Sequence, residues 1–228
     1  MKFGGLQKLT LLDYPEHVAC TLFTVGCNFR CPFCHNFSLV AGSAAEEYSQ
    51  EMVLDFLKKR SNVLEGVCIT GGEPLLQAGI ADFIKKVKDL GYKVKLDTNG
   101  AYPDKLRQLV DLGLVDYVAM DVKNSKEEYS VTAGCKVDLD SICRSVNLLK
   151  SNVVDYEFRT TVTANFHTAT SIEQTAIWLA GAKRWYLQQF VDSGDLIDNS
   201  VKGADDEMLR HYRQIAQKYL PNTYLRGV

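Results

Sequence analysis

The chain has 228 residues, 46% of them apolar and 24% charged, with a formal net charge of −2. That length and apolar share suffice to bury one sizeable core, so a single α/β domain over residues 1–228 is expected, and the charge supplies no basic footprint for a nucleic-acid partner. The opening MKFGGLQKLTLLDYPEH has no long apolar region and no stretch approaches the roughly eighteen apolar residues of a membrane span, so no membrane partner and a cytoplasmic location are expected.

Short β-branched runs bounded by Gly, Asn, Asp or Ser alternate with stretches of helical periodicity. In chain order the pattern predicts a strand over 18–25, a helix over 51–60, a strand over 67–70, a helix over 80–90 and a strand over 93–96. A helix over 103–112, a strand over 115–120, a helix over 139–150 and a strand over 156–162 follow. The series ends with a helix over 171–180, a strand over 184–190 and a helix over 205–219. Pro103 suits a first helical position, Gly91 and Gly113 suit helix ends, and Thr170 with Glu173 has capping-box spacing. Residues 36–49 and 194–203 are expected to be irregular, and Trp178 and Trp185 to pack in the core. Such alternation implies parallel strands with right-handed crossovers, either in an open doubly wound sheet or in a partial (β/α) barrel.

In both architectures ligands bind beyond the carboxyl ends of the strands. Most of the unusual residues fall there. TVGCNFRCPFCHN follows the first predicted strand, GGEP (71–74) the second, DTNG (97–100) the third, DVK (121–123) the fourth and QQF (188–190) closes the sixth, while Arg159 lies within the fifth. Three of the seven cysteines, Cys27, Cys31 and Cys34, are spaced C-x-x-x-C-x-x-C with no second matching pair. Crowded thiols in an odd total fit a reduced metal centre better than a disulfide framework. A structural zinc site needs four protein ligands; here the fourth would have to be His35 or one of Cys20, Cys68, Cys135 and Cys143. An iron–sulfur cubane held by three thiolates leaves one iron open instead. Cys20 and Cys68 sit in apolar strand patterns and suit the core.

The cysteine motif with aromatic Phe33 before its last thiol, followed one strand later by GGEP, resembles the radical S-adenosylmethionine (SAM) superfamily. Within it, GLQKLTLLDYPEHVACTLFTVGCNFRCPFCHN, TGGEP, LDTNG, the DVK segment and the terminal TYLRG are similar to the glycyl radical enzyme activases, and most of all to those of anaerobic ribonucleoside-triphosphate reductase. The resemblance implies a partial (β/α)6 TIM-like barrel of parallel strands with a 4Fe-4S cluster on Cys27, Cys31 and Cys34. It implies that SAM bound at the open iron, with its amino group on the backbone of Gly71, Gly72 and Glu73, is reductively cleaved to a 5'-deoxyadenosyl radical, and that this radical takes a hydrogen from a glycine Cα of the partner enzyme. A flavodoxin or ferredoxin would be the reductant. By the same resemblance Asp97, Thr98, Asp121 and the Ala119 carbonyl would hold a monovalent cation beside the SAM carboxylate, an all-oxygen set suited to a hard cation. Arg159 would bind that carboxylate, Lys123 would stand near the partner's glycine loop as the catalytic residue, His167 would stack on adenine, and Gln188 would contact ribose or adenine.

Each residue also has a plainer role. Asp97 could open an Asx turn, Asp121 pair with Lys123, Arg159 pair with Glu157, Lys123 and His167 be solvated, and Gln188 cap a strand. Two departures stand out: Phe37 replaces the proline usual after His-Asn, and the eight-cysteine ferredoxin-like insertion of many activases is missing. A small-molecule radical SAM enzyme, such as one acting on a 7-deazaguanine precursor, or an activase of another glycyl radical protein are the enzymatic alternatives, and a non-catalytic metal-binding module is the third.

Overall fold

The computed structural model describes residues 1–43, 47–192 and 194–228. Residues 44–46 of the stretch expected to be irregular, and Ser193 just before the second such stretch, lie outside the described residues. Among the described residues nine strands form one sheet in the order β3-β1-β2-β4-β5-β6-β7-β8-β9. Six of them, β2 (Ala19–Thr24), β4 (Gly66–Gly71), β5 (Lys93–Thr98), β6 (Tyr117–Asp121), β7 (Asp155–Val162) and β8 (Trp185–Gln189), are the expected strands, parallel and consecutive. They make a partial TIM-like barrel. Three strands were not expected: β1 (Lys2–Thr10) pairs antiparallel with β2, β3 (Tyr48–Ser49) lies on β1, and β9 (Thr223–Arg226) extends the sheet parallel to β8.

Helices α2 (Gln50–Arg60), α3 (Ile80–Asp89), α4 (Pro103–Asp111), α6 (Leu139–Lys150), α7 (Ala169–Leu179) and α8 (Asp206–Gln217) match the expected periodicity within two residues at each end. Pro103 opens α4, and Gly91 and Gly113 follow their helices at φ +89° and +64°, the left-handed conformation that ends a helix with little strain in glycine. The capping box of α7 is formed by Thr168 and Ser171, not Thr170 and Glu173, since Glu173 accepts a hydrogen bond from the Tyr219 hydroxyl at 2.7 Å. Two single-turn helices, α1 (Phe37–Ala41) and α5 (Tyr129–Thr132), interrupt stretches without a periodic signal.

β2, β4 and β6 are buried along nearly their whole length, as strands covered on both faces must be, and Trp185, Cys20 and Cys68 are fully buried, whereas Trp178 is only partly so. At the amino ends of the strands Tyr14 packs with Ala19, Tyr117 and Ala119. Gly66 makes room for it, because a Cβ there would lie 2.8 Å from the Tyr14 ring. Above this layer the Glu157 carboxylate, 1% exposed, accepts two hydrogen bonds from Arg226 at 2.9 and 3.0 Å and one from Tyr117 at 3.0 Å. The polar pocket therefore forms at the opposite, carboxyl end. Among the described residues no helix is long and apolar enough to cross a membrane.

Candidate active site

The three clustered cysteines sit on the loop after β2, and all three line one cavity of about 330 Å³. Local hydrogen bonds shape this loop. Arg30 donates to the carbonyls of Cys27 and Phe29 at 2.6 and 2.8 Å, and the Cys34 amide donates to the Cys31 carbonyl at 2.9 Å. A second segment cradles it: the Arg30 amide donates to the Ala133 carbonyl at 2.9 Å, and Gly134 packs so closely that a Cβ there would lie 2.0 Å from the Arg30 carbonyl oxygen. The departure at Phe37 is absorbed by the chain around residue 195. Its amide donates to the Asp195 carbonyl at 3.3 Å, a bond proline could not make, while the Ser38 hydroxyl and amide donate to the Asp195 carboxylate at 2.8 and 3.1 Å.

GGEP is zipped onto the end of β2. The Gly72 amide donates to the Thr24 carbonyl and the Glu73 amide to the Gly26 carbonyl, both at 2.9 Å. Glycine is required by this approach, since a Cβ on Gly72 would lie 2.0 Å from the Gly26 oxygen and one on Gly71, at φ +102°, 2.5 Å from the Thr24 nitrogen. Gly71 and Gly72 line the cavity, whereas the Glu73 side chain is fully buried behind it. Its carboxylate accepts from the Leu75 amide (3.0 Å), the Thr98 hydroxyl (2.8 Å) and the Asn99 amide (2.7 Å), and so fastens DTNG to GGEP. Burial pushes this carboxyl up to about 7, while the three donors favour its ionised form. Asn99 then reaches the cysteine loop, donating to the Asn28 side chain at 2.8 Å and approaching the Cys27 sulfur at 3.8 Å.

The cavity wall opposite in sequence carries charge. Arg159 donates from Nη1 to Asp97 at 3.0 Å and from Nε to Asp121 at 2.9 Å, Lys123 donates to Asp121 at 3.1 Å, and buried Lys95 pairs with the second oxygen of Asp97. Burial alone would raise both carboxyls, but Arg159 with Lys95 and Lys123 holds them below the usual carboxylate range. Asp121 thus has the expected lysine partner, while Arg159 ignores Glu157, which Arg226 occupies. Burial also pushes the Cys31 thiol up to about 12 and raises Cys27 and Cys34, with Lys123 opposing the shift in all three. Iron would have to displace these protons on binding.

A family model described as the radical SAM superfamily matches residues 21–179. The chain belongs to the radical SAM superfamily. Its relatives place it among the glycyl radical activases of that superfamily: the Methanocaldococcus jannaschii protein "Putative glycyl-radical enzyme activating enzyme MJ1227" is 31% identical over 99% of this chain and 95% of its own. A second protein of that organism with the same description, MJ1632, is 28% identical over 96% of this chain and 84% of its own. A domain of pyruvate-formate lyase-activating enzyme from Bacteroides vulgatus shares the fold at a TM-score of 0.59 and 19% identity, covering 71% of this chain and 99% of that domain.

The radical SAM cofactors fit the residues present. Three thiols line one cavity of sufficient size, and among the described residues no three thiol, imidazole or carboxylate side chains converge as a single zinc ion would require. Of the other expected residues, Phe33, Asp97, Thr98, Asp121, Lys123, Arg159 and Gln188 line the cavity. Two do not. Ala119 is fully buried within the sheet, and His167, 2% exposed, is neither solvated nor on the cavity wall. The His167 ring is committed elsewhere: Nδ1 accepts from the Thr163 amide at 3.1 Å, and Nε2 donates to the Lys123 carbonyl at 2.9 Å. Sequence reasoning gave no role to Lys95 or Asp13, named Asn99 only as part of DTNG and His35 only as a possible zinc ligand; Asn99, Asp13 and His35 line the cavity. Lys95 carried one signal, its i, i+2 spacing from Asp97 on a strand.

Proposed function

We propose that this radical SAM enzyme generates a glycyl radical in anaerobic ribonucleoside-triphosphate reductase, working as one domain over residues 1–228 in the cytoplasm with a flavodoxin or ferredoxin as reductant. One observation carries the reading: the three thiols, Gly71 and Gly72, Arg159 and Lys123 converge on a single cavity in a chain matched nearly end to end by glycyl radical activating relatives. Cys27, Cys31 and Cys34 would hold a 4Fe-4S cluster. When bound, the cluster and SAM supply reductive sulfonium cleavage and abstraction of a glycine Cα hydrogen.

The chain's own groups orient and shield that chemistry. The backbone of Gly71 and Gly72, clamped from behind by Glu73, would receive the SAM amino group. Arg159, whose guanidinium already bridges two carboxylates, would bind the SAM carboxylate in the same planar, two-pronged way. Phe33 and Gln188 would flank adenine and ribose, and Lys123, anchored to Asp121, would stand toward the partner's glycine loop. The test is anaerobic mixing of iron-reconstituted protein, SAM, a low-potential reductant and the anaerobic ribonucleotide reductase of the same source. A glycyl radical doublet that requires every component supports the proposal. SAM cleavage with no doublet in that reductase removes it as the target and leaves another glycyl radical protein or a small molecule.

A further inference from the structure

The four groups that resemblance assigns to a monovalent cation do not fit one in this chain. Asp97 engages Lys95 through Oδ1 and Arg159 through Oδ2; Asp121 engages Arg159 through Oδ1 and Lys123 through Oδ2. All four carboxylate oxygens therefore already face a protein cation. The Thr98 hydroxyl donates to Glu73 at 2.8 Å and accepts from the Gly100 amide at 3.1 Å, and Ala119 is fully buried in the sheet. Charge makes the same point: Asp97 and Asp121 meet the three cationic side chains of Lys95, Lys123 and Arg159, and with Asp13 on the same cavity wall the carboxylates and cations already balance before any ligand enters. A free cation would bring an uncompensated charge into a site where water screens little.

Lys95 differs from the other two basic groups. It rises from the middle of β5, is 2% exposed, and lies between the Cys68 sulfur at 3.7 Å and Asp97. When a carboxylate ligand recruits Arg159, Lys95 remains on Asp97 from below and keeps it ionised and oriented. We propose that the Lys95 ammonium replaces the monovalent cation in this chain, holding Asp97 in place so that SAM binds without potassium or sodium. Lys95 is thus a positioning residue that acts through Asp97. The inference rests on the reading of the cavity as the SAM site.

The test is isothermal titration of SAM into anaerobic, cluster-loaded protein at fixed ionic strength in potassium, sodium or tetramethylammonium chloride. For the wild-type protein the dissociation constant is expected to agree within about twofold across the three salts. Lys95→Met is expected to bind SAM about tenfold more weakly in tetramethylammonium, the loss of one charge-assisted contact, and to recover most of that in potassium. A merely structural salt bridge would give a loss that no small cation restores, and that result overturns the proposal. So does a wild-type affinity that rises tenfold with potassium, a comparison that decides the matter alone if Lys95→Met does not fold. Cation-independent SAM binding by the wild type with potassium rescue of the variant supports it. Failure to bind SAM in every salt contradicts the reading of the cavity itself and removes the inference with it.

Discussion

Acid should unfasten this protein at His167, and the structure sets both the direction and the size of the effect. The imidazole is neutral with its proton on Nε2, because Nδ1 accepts from the Thr163 amide and Nε2 donates to the Lys123 carbonyl. Protonating Nδ1 would turn a hydrogen bond into a clash of two donors and bury a charge, so burial lowers the pKa from an ordinary 6.5 to about 4. The unfolded chain therefore binds this proton first as pH falls. The associated stability is fully present above pH 6.5 and is lost as pH falls toward 4, about 3 kcal/mol in all and about 2 kcal/mol by pH 5. His167→Gln keeps at most one of the two ring hydrogen bonds and should cost about 1–3 kcal/mol at pH 7.5. It also removes the titration, so the gap between wild type and variant should narrow by about 2 kcal/mol between pH 7.5 and 5. Urea unfolding of both proteins, iron-free and reduced, measures the gap directly. Parallel curves across that range, or an imidazole that titrates at pH 6 or above by NMR, would refute the reasoning.

Gly72→Ala should force GGEP away from the cysteine loop, because its Cβ would lie 2.0 Å from the Gly26 oxygen; a stability loss of about 1–3 kcal/mol in urea, with less iron retained after reconstitution, is expected. Arg226→Met strands the buried Glu157 carboxylate with only the Tyr117 hydroxyl. That should cost about 3 kcal/mol, the low end for a broken buried pair since Arg226 is partly exposed, and circular dichroism through a urea titration checks it.

The parallel strands and their helices were legible because each buries a face with a clear period, and β-branched runs mark strands covered on both sides. β1 was not legible because Gly4 and Gly5 break its alternation, and β3, β9, α1 and α5 are too short to show a period. The motif residues of the site could be read in order along the rim, yet their partners could not. Lys95 looks like solvent-facing Lys93 two residues earlier, and only its spacing from Asp97 hints otherwise; in the fold it is buried between Asp97 and the Cys68 sulfur of the neighbouring strand. Asp195 holds Ser38, at the start of the short helix that follows the cysteine loop, from 157 residues away, a distance no local pattern spans. Glu73 was expected to offer its backbone, and its side chain proves to be the clamp that ties two motifs together.

The central claim, that Cys27, Cys31 and Cys34 present an open-iron cluster to SAM, is tested most directly by electron paramagnetic resonance of the reconstituted, dithionite-reduced protein under anaerobic conditions, with and without SAM. A reduced 4Fe-4S signal whose g-values shift on adding SAM, and which Cys31→Ala abolishes, is the predicted result. A colourless protein that takes up zinc in place of iron, or a cluster signal indifferent both to SAM and to the loss of Cys31, would contradict it.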